Sequence, residues 1–292
     1  CCISGTKVCA REVDKMVSRL RYFFRLKFLV LCLITIISKV AFAVNFYDGS
    51  RAKQGLYFLT YTSAYYADET TNKNGKATSK DFGLFNAQEI LRFCYYSPDF
   101  VATVVIPFGY TEINYSNQDS FSLGDMSLGV GYFLPVKQVD ILPMLFVKFP
   151  TGEYSASKAA NIGSNQYDIM PMVFLHKTQG HFSVDAVMKY YFRLKNNVTD
   201  VLPGDELYLQ GLVGYNVTDK FKLGPSVSWM ISKNKKQNDT TVSNSAREKL
   251  SVGADFYYRF SWLSVTFTYF YDVYAENSPK GHFFQLKTVY HF

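Results

Sequence analysis

The chain runs to 292 residues, with 17% aromatic residues and a formal net charge of +7. Eight Lys/Arg against two Asp/Glu in residues 1–43 account for +6 of that charge, so residues 44–292 are nearly neutral and lack the basic surface that a nucleic-acid-binding protein needs. Cys1, Cys2, Cys9 and Cys32 lie in the same leading stretch, which leaves Cys94 alone in the remainder, excludes an internal disulfide there and offers no C-x-x-C metal spacing.

In chain order, residues 1–15 are aperiodic, precede the first methionine, Met16, and read as an upstream segment outside the mature protein. From Met16 the pattern is basic, then apolar, then small: Arg19, Arg21, Arg25 and Lys27, the run Phe28–Ile37, and Ala41-Phe42-Ala43. This is the pattern of an export signal, residues 16–43, cut after Ala43. Ten apolar residues are too few for an anchor, which needs about 20. Leu31 is not the small residue that lipid attachment at Cys32 would want before it.

From residue 44 onward the hydrophobic period is two. Phe182, Val184, Ala186, Met188, Tyr190, Phe192 and Leu194 fall on one face of a strand, and Ser183, Asp185, Lys189, Tyr191 and Arg193 on the other. The segments 221–232 and 250–260 repeat the rule. Strands are predicted over 54–67, 82–96, 100–113, 123–134, 140–152, 165–176, 181–194, 205–217, 221–233, 247–259, 262–275 and 281–292. These are longer than the usual soluble strand of about 5 to 6 residues and suit tilted membrane strands of about 9 to 11. One face of each is apolar while the other holds ions of both signs, which belong in a wet lumen and not in a dry sandwich core. Long polar connections (68–81, 114–122, 153–164, 195–204, 234–246, 276–280) alternate with tight ones such as Ser97-Pro98-Asp99 and Thr218-Asp219-Lys220. The expected fold is all-β: a transmembrane antiparallel up-and-down barrel spanning 44–292, of about 12 strands (roughly 10 to 14), with both chain ends on the periplasmic side of a bacterial outer membrane.

Three details qualify the pattern. Phe284, Leu286, Tyr290 and the terminal Phe292 share a face, with Thr288 between them, and resemble the signal read by the outer-membrane assembly machinery. Glu89 falls on an apolar face, which calls for an interfacial position or a register-shifting bulge. Pro107, Pro143, Pro171 and Pro225 interrupt strands and predict bulges or irregular pairing. In the first strand the pattern does not tell which face is which.

Three stretches, LGDMSLGVGYFL at 123–134, FPTGEY at 149–154 and NIGSNQYDIMP at 161–171, resemble an outer-membrane transporter family named for the MetA pathway of phenol degradation. The resemblance covers most of residues 80–292 and implies a barrel that passes small molecules, hydrophobic or aromatic ones among them. Read physically, Asp125 shares an inward face with Ser127, Gly129 and Gly131, leaving room for the lumen or an inserted loop, and Gly152 would permit a left-handed backbone at a strand end. A strand-end role that shapes the barrel is preferred to a ligand contact.

The candidate lumen residues are Arg92, Asp125, Lys148, Asp168, Asp185, Lys189, Arg193, Glu206, Lys249, Asp255, Arg259, Asp272 and Lys287, either as a self-paired network or as a polar path. Tyr57, Tyr61, Tyr65, Tyr96, Tyr191, Tyr208 and Tyr257 would offer aromatic walls. His181 and Ser183, both read as lumen-facing, carry the His-x-Ser spacing of an outer-membrane lipase but lie at the wrong end and on the wrong face. The functional expectation is a passive small-molecule channel and not an enzyme, favoured as a monomer, with membrane lipid, the assembly machinery and a small-molecule solute as partners and no cofactor. A structural or adhesive surface barrel is the alternative, and an outer-membrane hydrolase a further one.

Overall fold

The computed structural model describes residues 43–79 and 82–292. The upstream segment and all of the export signal before Ala43 lie outside the described residues.

Twelve strands form the wall: β1 (Gly55–Thr71), β2 (Leu84–Tyr96), β3 (Phe100–Ile113), β4 in two pieces (Gln118–Leu123 and Ser127–Tyr132), β5 (Asp140–Lys148), β6 (Asp168–Gln179), β7 (Phe182–Arg193), β8 (Glu206–Asn216), β9 (Phe221–Ser232), β10 (Glu248–Arg259), β11 (Leu263–Glu276) and β12 (Pro279–His291). Each pairs antiparallel with the next, and β12 returns to β1 from Tyr57↔His291 to Thr70↔Pro279. Closure leaves no free sheet edge, so every strand has two partners.

Alternation decides which side chains line the interior. Along β7, Ser183, Asp185, Val187, Lys189, Tyr191 and Arg193 are buried, while Phe182, Val184, Met188 and Phe192 are exposed. In β1 the register places Tyr57, Leu59, Tyr61, Ser63 and Tyr65 inside and Leu56, Thr60, Thr62 and Tyr66 outside. Outward aromatics gather at the end that carries the tight turns, the start of β1 and the end of β12: Tyr95, Phe100, Tyr132, Phe182, Tyr215, Tyr258 and Trp262. Tyr66, Phe121, Tyr167 and Tyr274 do the same at the loop end, giving two girdles, with Phe267, Tyr271 and Phe284 of β11 and β12 among the aliphatic residues between them.

The ladder departs from its regular form where the backbone requires it. Residues 114–122 are not a loop: a 3-10 turn at Asn114–Ser116 leads into the first piece of β4, which pairs with β3 from Phe108↔Leu123 to Ile113↔Gln118. Pairing resumes at Val105↔Ser127, one residue out of step, so Gly124-Asp125-Met126 is a bulge facing Pro107. The other prolines break pairing without shifting it. Between β6 and β7 the register is the same at Ile169↔Phe192 and Met172↔Lys189, and the pairs at Pro171 are skipped. Pro225 does the same between Leu212↔Ser226 and Tyr215↔Leu223. The β4–β5 ladder stops at Gly131↔Met144, beside Pro143. A missing N–H removes a rung but need not add a residue. Register shifts occur instead at Tyr66/Glu69 and Leu250/Ser251. Around Glu89 there is none: it lies on the outward face and accepts a hydrogen bond from Thr62 Oγ1 at 2.5 Å, so the bulge alternative does not hold there.

Candidate functional site

The lumen is occupied by the described residues that precede β1, from Ala43 onward. Ala43, Val44, Asn45 and Phe46 are at most 2% exposed, because they lie inside the barrel and not in its wall. The segment turns on itself, with Tyr47 in the left-handed region (φ 69°) and Asp48 Oδ2 accepting the Asn45 N–H at 2.9 Å. Several of its polar groups are met by the wall, as buried backbone requires. Val44 N–H donates to Gln210 of β8 (3.0 Å), Asn45 Nδ2 to Thr268 of β11 (2.7 Å) and Asp255 of β10 (3.2 Å), and Tyr47 N–H to Asp185 of β7 (2.9 Å). Phe46 fits because residue 214 is glycine; a Cβ there would meet its ring. Asp48 pairs with Lys287 of β12. At the turn-end mouth Arg51 binds Asp99 (3.2 Å), Asp140 (3.4 Å) and the carbonyls of Pro98 and Leu134, and stacks over Phe133. Nothing in the period-two pattern marks this plug, since a short stretch of mixed polarity before a first strand reads as a linker.

Toward the loop end the wall charges form a chain. Asp125, Lys148, Asp168, Arg193, Glu206 and Arg247 follow one another around β4 to β8 and the start of β10: Lys148 lies 3.3 Å from Asp125 and 2.7 Å from Asp168, Arg193 is 2.5 Å from Asp168 and pairs with Glu206, and Glu206 also pairs with Arg247. Asp168 and Glu206 are wholly buried, and full pairing is what permits it. A second group joins Lys249, Tyr65 and Ser251 to Asp272 at 2.6–2.9 Å. Arg247, just before β10 and in step with Lys249 at the first position of the strand predicted over 247–259, is a lumen cation that the candidate residues left out.

The three family-like stretches meet at Asp125. Its carboxylate accepts the Gly152 N–H (3.0 Å), the Ser164 N–H (2.8 Å) and the Ser164 hydroxyl (2.5 Å), while Thr151 Oγ1 accepts the Met126 N–H (2.9 Å). Residues 149–167 are thereby drawn over the loop end of the barrel, and Ala159 and Ala160 pack on Phe82, Leu84 and Ile113. Gly152 does not have a left-handed backbone. It is glycine because a Cβ would lie 2.7–2.9 Å from the backbone of Gly124 and Gly163. The fifth strand ends at Lys148, not at 152, for the same reason: the chain leaves the wall to bind Asp125.

Two chambers flank the plug. The loop-end chamber, ≈ 140 Å³, is lined by Ala43, Tyr65, Asn86, Tyr208, Met230, Arg247, Lys249, Phe270 and Phe283. The turn-end chamber, ≈ 390 Å³, is lined by Tyr47, Asp48, Tyr57, Arg92, Tyr96, Tyr257, Arg259 and Lys287. Of the remaining predicted lumen residues, Asp185 is wholly buried with His176 Nδ1 at 2.7 Å, Lys189 is 2% exposed, and Asp255 is wholly buried against Thr268. Arg92 reaches Thr103 (3.0 Å) and Tyr61 (3.3 Å), whereas Arg259 is exposed at the mouth and binds the Asp219 carbonyl (3.0 Å). Phe284, Leu286, Tyr290 and Phe292 all lie on the outer face of β12, and Phe292 is 78% exposed. His181 and Ser183 do not share a face as expected. The His181 ring lies exposed beside Tyr215, while Ser183 is buried and accepts a hydrogen bond from Lys222 (3.1 Å), because strand pairing starts between them and the imidazole sits in the turn.

Residues 67–288 match the sequence profile of the family described as "Putative MetA-pathway of phenol degradation". The chain belongs to that family. Among solved structures, the MetA-pathway family chain is similar to the COG4313 outer membrane channel from Pseudomonas putida F1, at 19% identity over 85% of this chain and 100% of that one, with a TM-score of 0.79. It is also similar to the NanC porin, at 10% identity over 80% of this chain and 100% of that one, with a TM-score of 0.50. These likenesses establish a shared barrel fold. No curated protein sequence matches the chain.

Proposed function

We propose that this protein is a passive outer-membrane channel for small molecules, closed at rest by residues 44–50. The observation that carries the reading is a closed wall, apolar outside and with both ionised and apolar side chains inside, that encloses a chamber on either side of a segment held through hydrogen bonds and one ion pair. The turn end, where β1 starts and β12 ends, faces the periplasm and the long loops face outward. That the similar barrel from Pseudomonas putida F1 is an outer membrane channel supports this. The wall of the loop-end chamber suits a solute with an apolar or aromatic body: Tyr65, Leu84, Met230, Phe270 and Phe283 surround Asn86, whose amide has no partner among the described residues. Export is assigned to the signal at 16–43, with cleavage near Ala43, and a single chain suffices to close the barrel. No catalytic pair is assigned.

Planar-bilayer recording and liposome uptake of labelled solutes test the reading. The full mature chain is expected to conduct weakly, and deletion of residues 44–50 to raise conductance severalfold while the barrel stays folded. A folded protein that neither conducts nor admits solute in either form would end the channel reading. In that event the loops become the interesting surface. Loops 195–205 and 233–247 are joined by a small three-stranded sheet (Val201–Leu202, Lys236–Gln237, Thr240–Thr241), an ordered platform that would suit an adhesive barrel.

A further inference from the structure

The two chambers differ in charge. Around the loop-end chamber each cation has a wall carboxylate: Arg247 has Glu206, and Lys249 has Asp272. The turn-end chamber is lined by three cations, Arg92, Arg259 and Lys287, and its one lining carboxylate is Asp48. Arg92 is bound by the neutral hydroxyls of Tyr61 and Thr103, and Arg259 by a backbone carbonyl. Lys287, only 5% exposed, pairs with Asp48, itself 9% exposed. The cations belong to the wall, and the carboxylate that answers them belongs to the plug.

This arrangement has an electrostatic consequence. Lifting the plug takes Asp48 away and leaves three positive groups around a cavity with low-dielectric walls, where unpaired charge is costly and fields are focused. Something anionic must then replace it, or the plug returns. The space beside the cations is lined by Tyr57, Tyr96, Tyr257, Leu59 and Val289, which suit an apolar body.

We propose that the turn-end chamber is a carboxylate-binding site, that Asp48 is its internal occupant at rest, and that an organic anion, a carboxylate on an apolar body, competes with Asp48 and so releases the plug. This names the solute class for the channel proposed above and rests on that reading. An anion that binds the Arg92–Lys287 wall only when Asp48 is absent shifts the population toward the open state by its differential affinity, and Asp48 weakens anion binding by the same factor.

Benzoate is the probe, and benzyl alcohol, its neutral counterpart in shape, the control. Calorimetric titration uses the full mature chain in detergent, its fold checked by heat-modifiable gel migration. Asp48→Asn is expected to bind benzoate on the order of tenfold more tightly than wild type, with benzyl alcohol unchanged. Adding Lys287→Met, or the exposed Arg259→Gln, to that variant is expected to reverse the gain. In bilayers under a KCl gradient, Asp48→Asn is expected to shift the reversal potential toward that of chloride. Equal benzoate affinity in wild type and Asp48→Asn, or an equal gain for benzyl alcohol, overturns the proposal. Titration does not need conduction: tighter benzoate binding by a chain that never conducts would sustain the site and sink the channel, whereas conduction with no preference for the anion would do the reverse.

Discussion

Asp125 joins segments that the sequence keeps apart, since one carboxylate takes hydrogen bonds from residues 152 and 164 and faces Lys148. Its loss leaves part-buried donors without their acceptor, at about 1 kcal/mol each. Asp125→Ala is therefore expected to free residues 153–163 for cleavage in limited proteolysis, while the gel migration of the barrel persists. Phe46 and Gly214 make a second pair of this kind. Gly214→Leu fills the space that the ring needs, so it is expected to expel the plug and raise conductance as deleting residues 44–50 would, with the wall intact. Arg193 links Asp168 to Glu206. Arg193→Met removes one partner from two buried carboxylates and is expected to lower stability by about 3 kcal/mol, read as the urea midpoint of unfolding. Asp125 and Arg193 were legible in the sequence as inward charges on alternating strands. What each one touches was not, because contacts across five strands depend on register.

At the scale of the strand, alternation carried most of the information. β3 was placed at 100–113 and is found there, because Ser97-Pro98-Asp99 before it and the polar run after it mark both ends. β4 was misplaced: Gly124 and the family-like Gly-Asp pair look like a strand start but form a bulge within a longer strand, which exists because Asp125 must turn toward two other segments. Glu89 shows the opposite case, a residue that breaks the pattern while its strand does not. It stays outward in an unshifted ladder, with Thr62 as its partner. Glu89→Leu is accordingly expected to raise stability in lipid by about 1 kcal/mol, measured as a higher urea midpoint in vesicles, since a charge on the lipid face is a net cost. A fall instead would show that the carboxylate and Thr62 hold the β1–β2 seam together.

For the whole molecule, closure turns twelve marginal ribbons into one body. The last seam is made by the chain's two ends, from Tyr57↔His291 onward, and Phe292 N–H donates to the Leu56 carbonyl (3.0 Å). The exposed ring of Phe292 contributes little to this seam, which suits a residue read during assembly. Phe292→Ala is expected to lower outer-membrane insertion in cells severalfold, as judged by the folded fraction on gels, while refolding of the purified chain into detergent proceeds as for wild type. Equal loss in both settings would make Phe292 structural.

The sequence by itself determined the all-β barrel of about twelve strands and its outward apolar faces, because period-two alternation over long segments follows from lipid on one side and water on the other. Only the tertiary structure decided that residues 43–50 fill the lumen, that Asp125 gathers three motifs, and that Asp48 is the lining carboxylate of a cationic chamber. Those facts arise from contacts between positions up to 239 residues apart, as between Asp48 and Lys287, and no local pattern encodes which inward side chain will face which.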